Sequence, residues 1–164
     1  MDTGGESRED GAVKIEAVSA ASVEARVLVA LYVEEIAAAF PAGFDPKASV
    51  SADPDELTPP KGTFLVVRAD DGNPVGCGAL KLLDPQTAEI KRMWIAPEAR
   101  GQGIGRQLLD ALEDAARDLG ATQAKLDTND TLDAAMTLYR KSGWEEIPAY
   151  NDNRYATHWF AKQL

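Results

Sequence analysis

Apolar and polar residues alternate over residues 13–18 (VKIEAV), the period of a strand with one buried face. The period then lengthens. Ser22 has the chemistry of a helix N-cap, and Val23, Val27, Leu28, Leu31 and Tyr32 fall on one helical stripe before the chain reaches Phe40 and Pro41. Five of the nine prolines lie between Pro41 and Pro60, with Gly43, Asp45, Asp53 and Asp55 among them, a composition that predicts a long loop with room for one short helix. Three strand-like runs follow closely at 63–69 (TFLVVRA), 74–82 (PVGCGALKL) and 88–95 (AEIKRMWI). The turn residues Asp70 to Asn73 and Asp84-Pro85 between them predict an antiparallel meander.

The pattern turns helical again over 103–119. Ile104, Leu108, Leu109, Leu112, Ala115, Ala116 and Leu119 form the apolar stripe, Arg106, Asp110, Glu113, Asp114 and Arg117 the polar side, and Gly120 the stop. A short strand at 123–127 (QAKLD), a helix capped by Thr131 or Asp133 and ending near Gly143, and strands at 144–147 and 157–162 complete the chain. The helix at 103–119 is a crossover, which returns the chain parallel to 88–95. The class is therefore α/β, a mixed, mostly antiparallel sheet flanked by helices.

Composition narrows the setting. At 164 residues the chain suits one domain, placed at 13–164, with 1–12 read as a disordered tail because it is polar and acidic. The start lacks a basic segment followed by an apolar one, and no apolar run approaches the ~20 residues that span a bilayer. Cys77 stands alone. The expectation is a cytoplasmic protein without disulfides. A net charge of -10 argues against nucleic acid as a partner, since phosphate backbones need clustered Lys and Arg. It favours cationic ligands mildly, though acidity also serves solubility. His158 has no Cys or other His to join in a metal site, so no metal is expected.

The strongest chemical signal is the junction of the third meander strand with the next helix. Gly101, Gly103 and Gly105 alternate there, so backbone N–H groups can approach an anion without Cβ interference, and the helix start adds about half a positive charge. Neither the dinucleotide fingerprint nor the P-loop fits, because Arg106 and Leu108 stand where further glycines would be needed and no Gly-Lys-Ser/Thr follows. The glycines alone specify only an anion site.

Arg100, Gly103 and Gly105 match the coenzyme loop Arg/Gln-x-x-Gly-x-Gly/Ala, and Ala135-x-x-Leu138-Tyr139-x-x-x-Gly143-Trp144 matches a second motif, A-x-x-L-Y-x-x-x-G-F. In both motifs and in element order over 13–164 the chain resembles the Gcn5-related N-acetyltransferase family. The resemblance implies transfer of an acetyl group from acetyl-CoA, as donor substrate, directly to a primary amine. The acceptor would be a small molecule, an amino acid or a protein amine. It further implies that the run Arg100, Gly101, Gln102, Gly103, Ile104, Gly105 and Arg106 holds the pyrophosphate, that the strand at Met93, Trp94 and Ile95 pairs with the pantetheine arm, and that Asn129 touches the coenzyme. Glu89 would be the base, with a solvated carboxylate beside Lys91 and Arg92 as the alternative. A base is useful because holding an amine of pKa ~10.4 neutral at pH 7 costs about 4.6 kcal/mol. Tyr139 would face the leaving sulfur and give it a proton. Phe40, Phe44 and the loop at 150–155 would line the acceptor pocket, and a homodimer is possible at the family level. Two rival readings remain: an acyl-CoA sensor without turnover, and a module that binds nucleotide phosphates.

Overall fold

The computed structural model describes residues 12–40, 42–45 and 53–164. The expected tail lies, up to Gly11, outside them, as do Pro41 and residues 46–52 of the long loop. Among the described residues a mixed sheet of seven strands is flanked by three helices. The strands are β1 (Lys14–Ala17), β2 (Gly62–Arg68), β3 (Pro74–Asp84), β4 (Thr87–Ile95), β5 (Gln123–Thr128), β6 (Glu145–Ile147) and β7 (His158–Gln163). They lie in the order β1-β2-β3-β4-β5-β7-β6. All neighbouring pairs are antiparallel except β4 with β5, which are parallel, as the intervening crossover requires.

The helices are α1 (Val23–Ala38), α2 (Ile104–Asp118) and α3 (Asp133–Lys141). The sheet's pleat divides the core between them. Phe64, Val66, Cys77 and Ala79 pack with Ala25 and Leu28 of α1. Leu65, Val67, Leu80, Ala88, Ile90 and Leu126 pack on the other face with Leu108, Leu109 and Leu112 of α2 and Tyr139 of α3. Gly78 lets α2 come close, since a Cβ there would stand 2.8 Å from Leu112 Cδ1.

The stripe read on α1 is the wrong one in part. Ala25 and Leu28 are buried, whereas Val23 is 76% and Val27 53% exposed, and Leu31 is exposed too. The helix is apolar nearly all round, so spacing alone could not choose its buried side. Ser22 does cap it, accepting from the Ala25 N–H at 3.1 Å. Glu113, read as solvent-facing, is buried, where its carboxylate accepts from Trp144 Nε1 at 3.2 Å and Lys162 Nζ at 2.8 Å. Two distant partners make that burial tolerable. Neither Thr131 nor Asp133 caps α3, whose N-cap is Leu132 with no side-chain hydrogen bond. No helix among the described residues is long and apolar enough to cross a membrane.

Candidate active site

The site begins where two parallel strands stop pairing. β4 and β5 are in register at Thr87 with Gln123, Ala88 with Ala124 and Glu89 with Lys125, and the ladder ends there although both strands continue. A bulge in β4 accompanies the parting: Cys77 pairs with Trp94 and Ala79 with Lys91, so Arg92 and Met93 together oppose Gly78. Arg92 takes a φ of 56°, a left-handed conformation that costs a side-chain-bearing residue about 1–3 kcal/mol and recurs at functional sites. The bulge had no signature in the period of β4.

The parted strands open a cleft of about 800 Å³. At one end stands the start of α2. Gly101 and Gly103 have φ of 80° and 79°, and an added Cβ at either would meet nothing within 4 Å, so their conformation and not crowding calls for glycine. Gly103 is the N-cap and supplies no side-chain acceptor, and the first turn carries no acidic residue. The first N–H groups of α2 therefore point outward with the helix's positive end, a fit for a phosphate group. Gly105 differs: a Cβ there would lie 3.4 Å from Leu138 Cδ2, so it brings α2 and α3 together.

Arg100, Gly101, Gly103, Ile104, Gly105 and Arg106 line the cleft, as do Met93, Trp94, Ile95 and Asn129, while Gln102 does not. The Arg100 guanidinium is held by α1 and β4. Its terminal nitrogen binds both Glu35 oxygens of α1 at 2.6 and 2.7 Å, and its Nε donates to the Ile95 carbonyl at 2.8 Å. Trp94 Nε1 donates to the same Glu35 at 3.3 Å, so α1 is tied to the loop by a clamp that the sequence reading missed. The Asn129 amide also has structural partners, donating to the Tyr155 carbonyl at 2.6 Å and accepting from the Thr131 N–H at 2.9 Å.

Tyr139 reaches the cleft from α3 among Trp144 and Phe160. Among the described residues its hydroxyl makes only a weak contact, with Met93 Sδ at 3.9 Å. Burial, then the neighbouring Tyr32 and Asp127, push its phenol well above the usual range. Tyr32 of α1 is pushed up to about 12, mainly by burial and next by Asp127.

Glu89 is 2% exposed and is not among the residues that line the cleft. Lys91 Nζ donates to one of its oxygens at 3.0 Å, and Tyr150 donates to the other at 2.7 Å, with Asn151 Nδ2 at 3.5 Å. Burial and the adjoining Glu89 charge push the Tyr150 phenol far up, so it stays a donor. Asn151 Nδ2 also donates to Asp127 at 2.7 Å, and Trp159 Nε1 holds the Asn151 carbonyl at 3.0 Å. The segment 148–157 is thereby stitched over the strand ends. Phe40, Phe44 and Tyr155 close one side of the cleft with ring centroids 4.5 to 5.8 Å apart. Cys77 is buried and its thiol pushed up to about 12 by desolvation, so it offers no nucleophile. His158 lies against Glu146 away from the cleft, a surface pairing.

The sequence profile of the Acetyltransferase (GNAT) family matches residues 29–144. The IAA acetyltransferase of Azospirillum brasilense is 41% identical over 91 residues, which are 55% of this chain and 59% of that protein, so the chain spans about three fifths of the length of this curated relative. Among solved structures, a Klebsiella pneumoniae protein assigned as an acyl-CoA N-acyltransferase superposes with a TM-score of 0.77 at 26% identity, over 94% of this chain and 99% of that one. A GNAT family acetyltransferase from Elizabethkingia anophelis, solved with acetyl-CoA bound, shares the fold at 20% identity and a TM-score of 0.64, over 93% and 98% of the two chains.

Proposed function

We propose a reaction for this chain from the premise that it belongs to the GNAT acetyltransferase family: it moves the acetyl group of acetyl-CoA directly to a primary amine. The observation that carries the reading is the cleft between the parted strands. It has an uncapped helix start suited to pyrophosphate at one end and an aromatic, carboxylate-bearing wall at the other. A donor and an acceptor can enter from opposite faces of the sheet and meet where the ladder stops.

In this reading the N–H groups of 103–106 hold the pyrophosphate, and the β4 edge at Met93, Trp94 and Ile95 takes the pantetheine arm, its backbone N–H groups being the candidates to steady the carbonyl oxygen. Arg100 contributes through Glu35, by fixing α1 against the loop. Asn129 shapes the cleft at the end of β5. Tyr139 donates a hydrogen bond to the departing sulfur. With its phenol raised so far, full transfer of its proton to a thiolate of pKa ~8.5 is uphill by roughly 2 kcal/mol or more, so stabilisation by the O–H is the larger share of its role. Glu89 is a positioning residue in this scheme, because Lys91, Tyr150 and Asn151 occupy its oxygens. Direct transfer needs no enzyme nucleophile, in keeping with the inert Cys77.

Mass spectrometry of an amine library incubated with the protein and acetyl-CoA tests the reading. Products heavier by one acetyl group, with release of free thiol, are expected. Tight acetyl-CoA binding without any acetylated amine would favour a sensor and sink the enzyme reading.

A further inference from the structure

Three carboxylates among the described residues line the cleft: Glu35, Asp127 and Asp133. Glu35 is committed to Arg100, and Asp133 sits exposed in the first turn of α3. Asp127 is different on each count. It is half-buried, and among the described residues its oxygens accept from two neutral amides, Asn153 Nδ2 at 3.0 Å and Asn151 Nδ2 at 2.7 Å. Each oxygen keeps a lone pair for one more donor. Its place in the strand matters as much. Lys125 is the last β5 residue in register with β4, and Asp127 is two residues further on the same face, opposite buried Leu126, where the strands have parted.

We infer that the Asp127 carboxylate receives the ammonium group of the acceptor and takes its proton, and that the acceptor is a primary amine carried on an apolar or aromatic body. This rests on the acetyl transfer proposed above. The other charged and titratable groups that line the cleft are Tyr32 and Glu35 from α1, Lys91 and Arg92 from β4, Arg100 and Arg106 around the glycine loop, Asp133 and Tyr139 from α3 and Tyr155 from the closing segment, with Glu89, Lys125 and Tyr150 behind them. Asp127 lines the same cleft as Tyr32 and Tyr139, the second of which carries the hydroxyl assigned to the sulfur, and its charge helps to raise both phenols. An ammonium would bring the carboxylate a charged donor where Asn151 and Asn153 bring neutral ones. The body that carries it meets Val29, Val33, Ile36, Phe40, Phe44 and Tyr155, a wall with little to offer a polar chain.

One ammonium proton passes to Asp127 and on to water, and the freed nitrogen lone pair forms the C–N bond at the thioester carbonyl carbon. The C–S bonding pair leaves with sulfur. The remaining surplus proton on nitrogen ends on that sulfur, giving the amide and the free thiol.

The test uses the full chain with acetyl-CoA, 2-phenylethylamine and ethanolamine as probes, following thiol release. 2-Phenylethylamine should exceed ethanolamine in kcat/KM by about tenfold or more, since the ring fills the apolar wall. Asp127→Asn should lose about 100-fold in kcat/KM for 2-phenylethylamine with acetyl-CoA affinity unchanged, and Glu89→Gln less than about tenfold. Should the Asn variant fold poorly, Asp127→Ala with added formate decides, and activity rising with formate concentration is expected. An Asp127→Asn enzyme within about threefold of wild type, a larger loss in Glu89→Gln, no response to formate, or a preference for ethanolamine would overturn the inference. Should no amine be acetylated at all, the transfer reading fails by itself. Thermal stabilisation by 2-phenylethylamine then judges Asp127 separately: a shift abolished by Asp127→Asn supports it, and equal shifts refute it.

Discussion

Tyr139 illustrates what a single residue's surroundings decide. Its motif suggested a proton donor, but burial beside Tyr32 and near Asp127 raises its phenol, so it remains neutral throughout the working pH range. A neutral O–H near a developing thiolate is worth about 1.5–3 kcal/mol, the range for hydrogen bonds to charged groups. Tyr139→Phe should therefore lower kcat by roughly 10- to 100-fold and leave acetyl-CoA affinity nearly unchanged. Stability should change little, because the hydroxyl's one partner among the described residues is the weakly held Met93 sulfur. Steady-state kinetics and a thermal melt check both. Since deprotonation of this group lies far up the pH scale, no alkaline limb below about pH 10 should be lost with the hydroxyl. Residue identities were legible at this scale, and residue environments were not. Glu89 and Asp127 are both acidic residues on adjacent strands, and only the place where β4 and β5 separate determines which one borders the cleft.

At the scale of elements, local signals read well where they were chemically unambiguous. Ser22 caps α1, Gly120 follows α2 with a φ of 98°, and the crossover gives the parallel pair. The buried side of α1 was misread because a helix apolar on most sides carries no single stripe. The bulge at Arg92 and Met93 left no trace either, since one extra residue in a strand alters its register without altering its composition. The glycine loop is the element most open to direct challenge. Gly103 needs a left-handed φ that costs other residues about 1–2 kcal/mol, and nothing crowds its missing Cβ. Gly103→Ala should lower the melting temperature by roughly 2–8 °C. Because relaxing that strain would re-aim the first N–H groups of α2, the KM for acetyl-CoA should also rise, by about tenfold if one charge-assisted hydrogen bond is lost. A variant that melts earlier with an unchanged KM would remove the loop from the coenzyme site.

Over the whole molecule, two cores pack on opposite faces of one sheet whose middle strands, β4 and β5, part beyond Glu89 and Lys125. α1 and the segment 148–157 brace one face of the opening, through the Glu35–Arg100 pair and the Asn151–Asp127 contact, and α2 and α3 brace the other. The order of elements and two short motifs were enough to anticipate this plan. The acceptor side was not, because its wall is assembled from α1, Phe40, Phe44, β5 and the last loop, segments far apart in sequence that only the fold brings together. Isothermal titration calorimetry with acetyl-CoA, CoA and ATP in turn tests the cleft as a coenzyme A site most directly. One saturable site for acetyl-CoA, blocked by CoA and indifferent to ATP, is the expected result. Heat from ATP binding with no response to either coenzyme would contradict it.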